Sequence, residues 1–271
     1  MKKNIIILLV TLGLSLAAAL FLLLDDAGVF SPGRMVWLHK DREVRSRLLS
    51  IPILLYHNID GKGPFAIDAA VLREHFQLFR DRGIRVISLR ELVRQLENPA
   101  PFDDRVIVIT FDDGYGTMHS KLLPLVREFG YPVTLFVYAD IISVKSSRNL
   151  TWEKARKLDR QGIDIQAHSI SHADLTELYR INDQESRKRL YEELYLARRL
   201  IGLRMNKKID FYAFPYGRYN LAIMDMARKA GYRRVFSTDY GSNIISRDNF
   251  CLRRQHIKSS YTIDFIDSLV R

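Results

Sequence analysis

Two short segments of this sequence bring together residue types that bind metals and move protons. Asp112 and Asp113 follow an apolar run and precede Gly114; His168 and His172 bracket Ser-Ile-Ser. Two imidazoles and one carboxylate can hold a divalent cation and leave coordination positions open, as catalytic sites do and closed structural sites do not. A second carboxylate beside the ligand is what a general base requires. Each segment by itself has an ordinary explanation. Asp-Asp-Gly is a common turn, and histidines four apart share one face of any surface helix. Pro215-Tyr216-Gly217 also reads as a turn, and His57 and His256 sit at or near the ends of apolar runs. The single cysteine, Cys251, excludes an intrachain disulfide and any cysteine-based metal site, so a metal must use histidine and carboxylate ligands.

These residues gain weight from the elements that must carry them. Short apolar, β-branched runs predict strands at 52–56, 85–88, 106–111, 133–138, 164–167, 211–214, 233–237 and 252–257. Helical patterns fall between them at 69–82, 89–96, 117–129, 151–161, 184–203 and 221–230. Strands alternating with helices predict a parallel sheet and an α/β fold, an irregular (β/α)7-8 barrel, with an open doubly wound sheet as the alternative. No Gly-x-Gly-x-x-Gly or P-loop signature follows a strand, which weakens the nucleotide-binding form of that alternative. Barrel enzymes carry their chemistry at the C-terminal ends of strands. Asp112-Asp113 ends 106–111, His168 ends 164–167, Pro215-Tyr216-Gly217 ends 211–214, His57 ends 52–56, and His256 lies in 252–257.

Thr110-Phe-Asp-Asp-Gly-Tyr115, followed by His168-Ser-Ile-Ser-His172 and Pro215-Tyr216-Gly217, resembles the polysaccharide deacetylases of the NodB-homology group, carbohydrate esterase family 4. The resemblance covers about residues 51 to 258. The opening Ile51-Pro-Ile-Leu-Leu-Tyr-His57 and the stretch 211–217 are most similar to the branch that deacetylates poly-β-1,6-N-acetylglucosamine. The resemblance implies that Asp113, His168 and His172 bind zinc or another divalent ion and that Asp112 is the base. It implies that the Tyr216 backbone N–H, beside Pro215, stabilises the oxyanion. The bound metal would lower the pKa of a water and polarise the acetamide carbonyl. The products would be acetate and a free glucosamine unit on the polymer. The sequence departs from the family in two places. No arginine stands in 209–214 to orient the base, and no clean late Leu-x-His motif supplies the general acid. His256 and His57 are the candidates for that acid. Other readings of the same motifs are a peptidoglycan or chitin-type N-deacetylase, a hydrolase of another amide or ester, and a catalytically silent, membrane-tethered glycan-binding protein.

The N-terminus sets the expected location. Lys2 and Lys3 precede an uncharged run at 5–24. Twenty helical residues reach about 30 Å, the thickness of a bilayer core. No polar cleavage region follows the alanines at 17–19, so 1–24 reads as a signal anchor, 25–50 as a stalk and 51–271 as the catalytic domain. Positive residues stay inside, which predicts a single-pass protein of the cytoplasmic membrane with its domain on the extracytoplasmic side. The net charge of +11 suits anionic lipids or envelope polymers. Its longest basic stretch, 186–208, interleaves Glu192 and Glu193 with arginines and reads as a solvent-exposed amphipathic helix, so nucleic acid is not an expected partner. Trp152 opens a helix and is expected to pack. Tyr115 is expected to border the cleft, whereas His39, His75 and His119 lack a strand-end context.

Overall fold

The computed structural model describes residues 51–98, 105–144, 146, 148–241, 243 and 249–270. The segments read as anchor and stalk lie outside the described residues. Among the described residues no helix is long and apolar enough to cross a membrane.

Nine parallel strands form one sheet: β1 (Ile53–Tyr56), β2 (Arg85–Ile87), β3 (Val106–Phe111), β4 (Val133–Val137), β5 (Ile163–Ala167), β6 (Phe211–Ala213), β7 (Arg234–Phe236), β8 (Cys251–Leu252) and β9 (Gln255–His256). Their order is β8-β7-β6-β5-β4-β3-β1-β9, with β2 also paired to β3. β3 is buried at all six positions. Parallel strands covered on both faces read as unbroken apolar runs, and each buried Val or Ile stabilises the fold by about 1.5–3 kcal/mol. Helices start where a side chain can accept an orphan amide. Ser88 Oγ accepts from Glu91 N–H (3.1 Å) and Asn220 Oδ1 from Ile223 N–H (2.9 Å), opening helices Leu89–Glu97 and Leu221–Lys229.

The sheet is a curled half-barrel. Among the described residues no ladder joins β8 to β9, so the expected barrel does not close by hydrogen bonding. The expected strand 252–257 is broken in two. Its first part pairs with β7 and its second with β1, on opposite edges of the sheet. The two-residue link Arg253–Arg254 therefore joins the edges, because Arg254 turns its side chain into the interior instead of extending the strand. The β5–β6 junction is also thin. A single register pair, Ala167 with Tyr212, is supplemented by Gln166 Oε1, which accepts from the N–H groups of Asp210 and Phe211 (3.0 Å each).

Helices Ala69–Asp81 and Trp152–Asp159 match expectation, whereas Ala139–Ser143, Leu175–Ile181 and Ile263–Leu269 were not expected and are each too short to show a helical period. Trp152 packs against the core and donates its Nε1–H to Ser143 Oγ (3.4 Å). The expected helix 184–203 is Gln184–Tyr191, a π-helical turn Glu192–Leu196, and Ala197–Met205. The extra residue in a π turn changes which side chains face inward. Glu193, read from sequence as a surface charge, is buried there.

Candidate active site

β5 leads directly into His168, whose N–H continues the ladder to Val137 O (2.8 Å). Its Nδ1 lies 2.8 Å from Ala213 O. A carbonyl only accepts, so Nδ1 carries the proton and Nε2 presents its lone pair to the interior. The ring of His172 is held between Tyr138 (5.2 Å) and Tyr216 (4.6 Å). Its Nε2 stands 3.2 Å from that of His168. Asp113 Oδ1 completes the group, 3.6 Å from His168 Nε2 and 3.4 Å from His172 Nε2. These three donors converge within 4.8 Å of one another. Burial lowers both imidazoles, His168 to about 4, which favours the neutral form that ligates. Burial, then the neighbouring Asp112, raises Asp113 to about 7. A half-buried carboxylate facing two imidazole nitrogens is a cluster of acceptors, and its chemistry fits a divalent cation.

Asp112 occupies the adjacent position and is fully enclosed. Arg254 grips it bidentately, Nη1 to Oδ1 and Nη2 to Oδ2, both at 2.7 Å. Arg254 is itself fixed by Ser237 O (Nε, 3.1 Å) and lies over the Phe136 ring (5.2 Å). Burial pushes the Asp112 carboxyl up, but Arg254, His168 and His57 together outweigh it and hold it well below the usual carboxylate range. Paired carboxylates with opposed shifts mark a division of roles.

The loops that carry these residues adopt conformations that L-residues rarely take. Asp113 (φ 81°), Ser169 (95°), His172 (62°) and Tyr216 (58°) all lie in the positive-φ region. Such backbone costs about 1–3 kcal/mol per residue and persists where surrounding structure enforces it. Two glycines make the loops possible. A Cβ on Gly217 would stand 2.0 Å from Thr238 Oγ1, and one on Gly114 3.3 Å from Val137 Cγ1.

The cleft above the group has a volume of about 470 Å³, and its walls include His57, Lys62, Phe65, Tyr115, Tyr216 and His256. His57 and His256 stack at 4.7 Å, and Phe65 covers His256 at 3.8 Å. His57 Nδ1 and His256 Nε2 are buried without a hydrogen-bond partner. Burial lowers His57 to about 4; burial, then His57, lowers His256 to about 3. Tyr115 lies beside Asp113 and favours its charged form, against the effect of burial.

The sequence profile of the family described as Polysaccharide deacetylase matches residues 100–235, half of the chain. The chain belongs to this family. Among curated relatives, YxkH of Bacillus subtilis (strain 168), named as a polysaccharide deacetylase, is 25% identical over 76% of this chain and 71% of its own length. The poly-β-1,6-N-acetyl-D-glucosamine N-deacetylase of Escherichia coli (strain K12) is 19% identical over 69% of this chain. The chain spans only 33% of that enzyme's length. Among solved structures, the Streptococcus pyogenes deacetylase PplD superposes with a TM-score of 0.72 at 22% identity, covering 82% of this chain and 98% of that one. IcaB from Ammonifex degensii gives 0.68 at 18% identity, covering 82% and 95%. These two share the fold.

The deacetylase thus brings every sequence-predicted site residue except Pro215, which is buried in the turn, to the lining of one cleft. Asp113, His168 and His172 converge, Asp112 adjoins them, Pro215 and Tyr216 form the facing turn, and His57 and His256 stack on the far wall. His256 does not face outward from its strand: its ring packs against both Phe65 and His57, which also touch each other (5.6 Å). Sequence reasoning missed Arg254. The arginine absent from 209–214 is supplied from the other side of the sheet, by the link between β8 and β9. An arginine doublet beside His256, interrupting a predicted core strand, was the available signal.

Proposed function

We propose that this polysaccharide deacetylase removes N-acetyl groups from an N-acetylglucosamine polymer in a metal-dependent reaction, with poly-β-1,6-N-acetylglucosamine as the favoured substrate. One observation carries the reading: three convergent neutral-histidine and carboxylate donors stand beside a second carboxylate locked by a buried arginine. The named activity of the Escherichia coli relative supports the choice of linkage.

Asp113, His168 and His172 would hold the metal, with zinc the favoured ion. When bound, it supplies Lewis-acid polarisation and a water of lowered pKa. Asp112 accepts a proton from the attacking water. Arg254 uses one lone pair on each carboxylate oxygen, and the second lone pair of each remains for that proton. Arg254 keeps Asp112 ionised and aimed, and the accompanying loss of basicity means that the proton is passed on rather than stored. The Tyr216 N–H is the proposed donor to the acetamide oxygen as charge develops there. The departing nitrogen takes its proton from the His57–His256 pair, leaving acetate and a free amine on the sugar. Both imidazoles are neutral at rest, so that proton reaches them during turnover.

Acetate release from β-1,6-linked, β-1,4-linked and peptidoglycan substrates, measured with and without chelator, tests the reading. Release from the β-1,6 oligomer that chelation abolishes and zinc restores is the expected outcome. Chelator-resistant release would remove the metal, and release confined to another polymer would remove the β-1,6 assignment. The same proposal keeps the chain tethered by residues 1–24 with its domain outside the cytoplasmic membrane. Protection of the domain from protease added to intact spheroplasts would overturn that orientation.

A further inference from the structure

Glu193 stands behind the cleft and takes no part in the reaction above. It is buried, 3% exposed, in the π turn Glu192–Leu196. Its Oε2 accepts the N–H groups of Ile170 (2.8 Å) and Ser171 (3.0 Å), and its Oε1 accepts the Ser171 hydroxyl. All three donors belong to the segment that separates His168 from His172. Ser169 closes that segment, its Oγ accepting the N–H of His172 (2.9 Å). Successive amides turned toward one anion form a nest, a concave site for negative charge. Here the anion is a side chain of the protein itself.

This arrangement accounts for the backbone around it. Ser169 (φ 95°) and His172 (φ 62°) both hold unfavourable conformations, and such residues relax unless contacts oppose relaxation. Without the Glu193 carboxylate, two part-buried amides and a hydroxyl lose their acceptor. Relaxation of the loop would then carry His172 away from His168 and Asp113. The π turn is the other half of the device. In the same turn Glu192 stays at the surface, within 3.9 Å of Lys188, while Glu193 is turned inward.

We propose that Glu193 is a positioning residue that fixes the spacing of the two histidine ligands and so sets the affinity and geometry of the metal site. The proposal rests on the reading of Asp113, His168 and His172 as metal ligands. The test uses the full chain. Zinc affinity is measured by competition with a chromophoric chelator, and site geometry from the d–d absorption spectrum of the cobalt(II)-substituted protein. Removing an outer partner of a metal ligand typically weakens affinity 10–100-fold. Glu193→Ala is expected to fall in that range and to change the cobalt spectrum, with Glu193→Gln between it and the wild type and Glu192→Ala unchanged. Wild-type affinity and spectrum in Glu193→Ala overturn the proposal. Should that variant fail to fold, Glu193→Asp, which keeps the charge one methylene short, decides by the same two readings. A wild-type chain that binds neither zinc nor cobalt defeats the metal reading itself, a result distinct from metal binding that is indifferent to Glu193.

Discussion

The two histidine pairs that meet in the cleft differ in what surrounds their nitrogens. His168 and His172 sit in a scaffold of specific polar contacts: a carbonyl behind one ring, a carboxylate in front of both, and a loop tied down between them. His57 and His256 are held by ring stacking against each other and Phe65, and each leaves a buried nitrogen without a partner. Polar contacts fix a nitrogen's direction, as a metal ligand requires. Stacking fixes the plane of a ring and leaves its nitrogens available, as proton transfer to a passing substrate requires. One cleft thus holds chemically identical side chains in two kinds of mounting, each suited to a different task.

Four experiments test this contrast. The largest effect is expected in the first pair. His168→Ala should abolish stoichiometric zinc binding and reduce acetate release about 1,000-fold or more, since metal polarisation supplies several kcal/mol of transition-state stabilisation. Retained zinc content in that variant would show that the pair is not a ligand pair. Next comes the carboxylate between the mountings. Arg254→Leu leaves Asp112 buried and unpaired, with an expected loss of about 3–5 kcal/mol in urea unfolding. Adding Asp112→Leu should recover most of that stability and none of the activity. A double variant as unstable as the single one would show that packing, not charge pairing, is the issue.

The second pair should respond in catalysis alone. His57→Gln and His256→Gln are each expected to keep full zinc content. The one that delivers the proton should lose about 100- to 10,000-fold in kcat, and the other far less. If neither variant falls tenfold, the amine is protonated from elsewhere. The smallest effect belongs to a histidine outside both pairs. His75 is buried against the Tyr56 hydroxyl (3.1 Å), and burial lowers it to about 4. Its folded pKa lies below the unfolded value of about 6.5. Its contribution to stability is therefore intact above that pH and is lost as pH falls toward 4. His75→Gln should flatten the fall in unfolding free energy over that window, by up to about 3 kcal/mol. An unchanged acid limb would assign the loss to other groups.

The contiguous parts of this site were legible because local chain geometry encodes them. Asp112-Asp113-Gly114 and His168 through His172 each follow a strand without a gap, so recognising the strand places the residues at its C-terminal end. The order of strands and most helices followed from periodicity for the same reason. What escaped depends on distant sequence. Arg254 reaches Asp112 across 142 positions, and nothing near residue 112 announces it. Glu193 lies among alternating charges that suit an exposed helix, and only a π turn, invisible to a period of 3.6, carries it inward. The curl of the sheet was hidden likewise, because the expected six-residue strand 252–257 gives no hint that its two ends serve opposite edges.

That late link has a consequence for biosynthesis. All three proposed metal ligands have been translated well before Arg254 leaves the ribosome, and β1, the first of the described strands, finds its partner β9 only when Gln255 and His256 follow. A nascent chain that stops short of this point contains the acceptor cluster but encloses an unmatched negative charge and lacks one edge of its sheet. Hydrolytic competence is thus withheld until Arg254 has been made, so products terminated before it would be inert and poorly folded rather than unregulated enzymes.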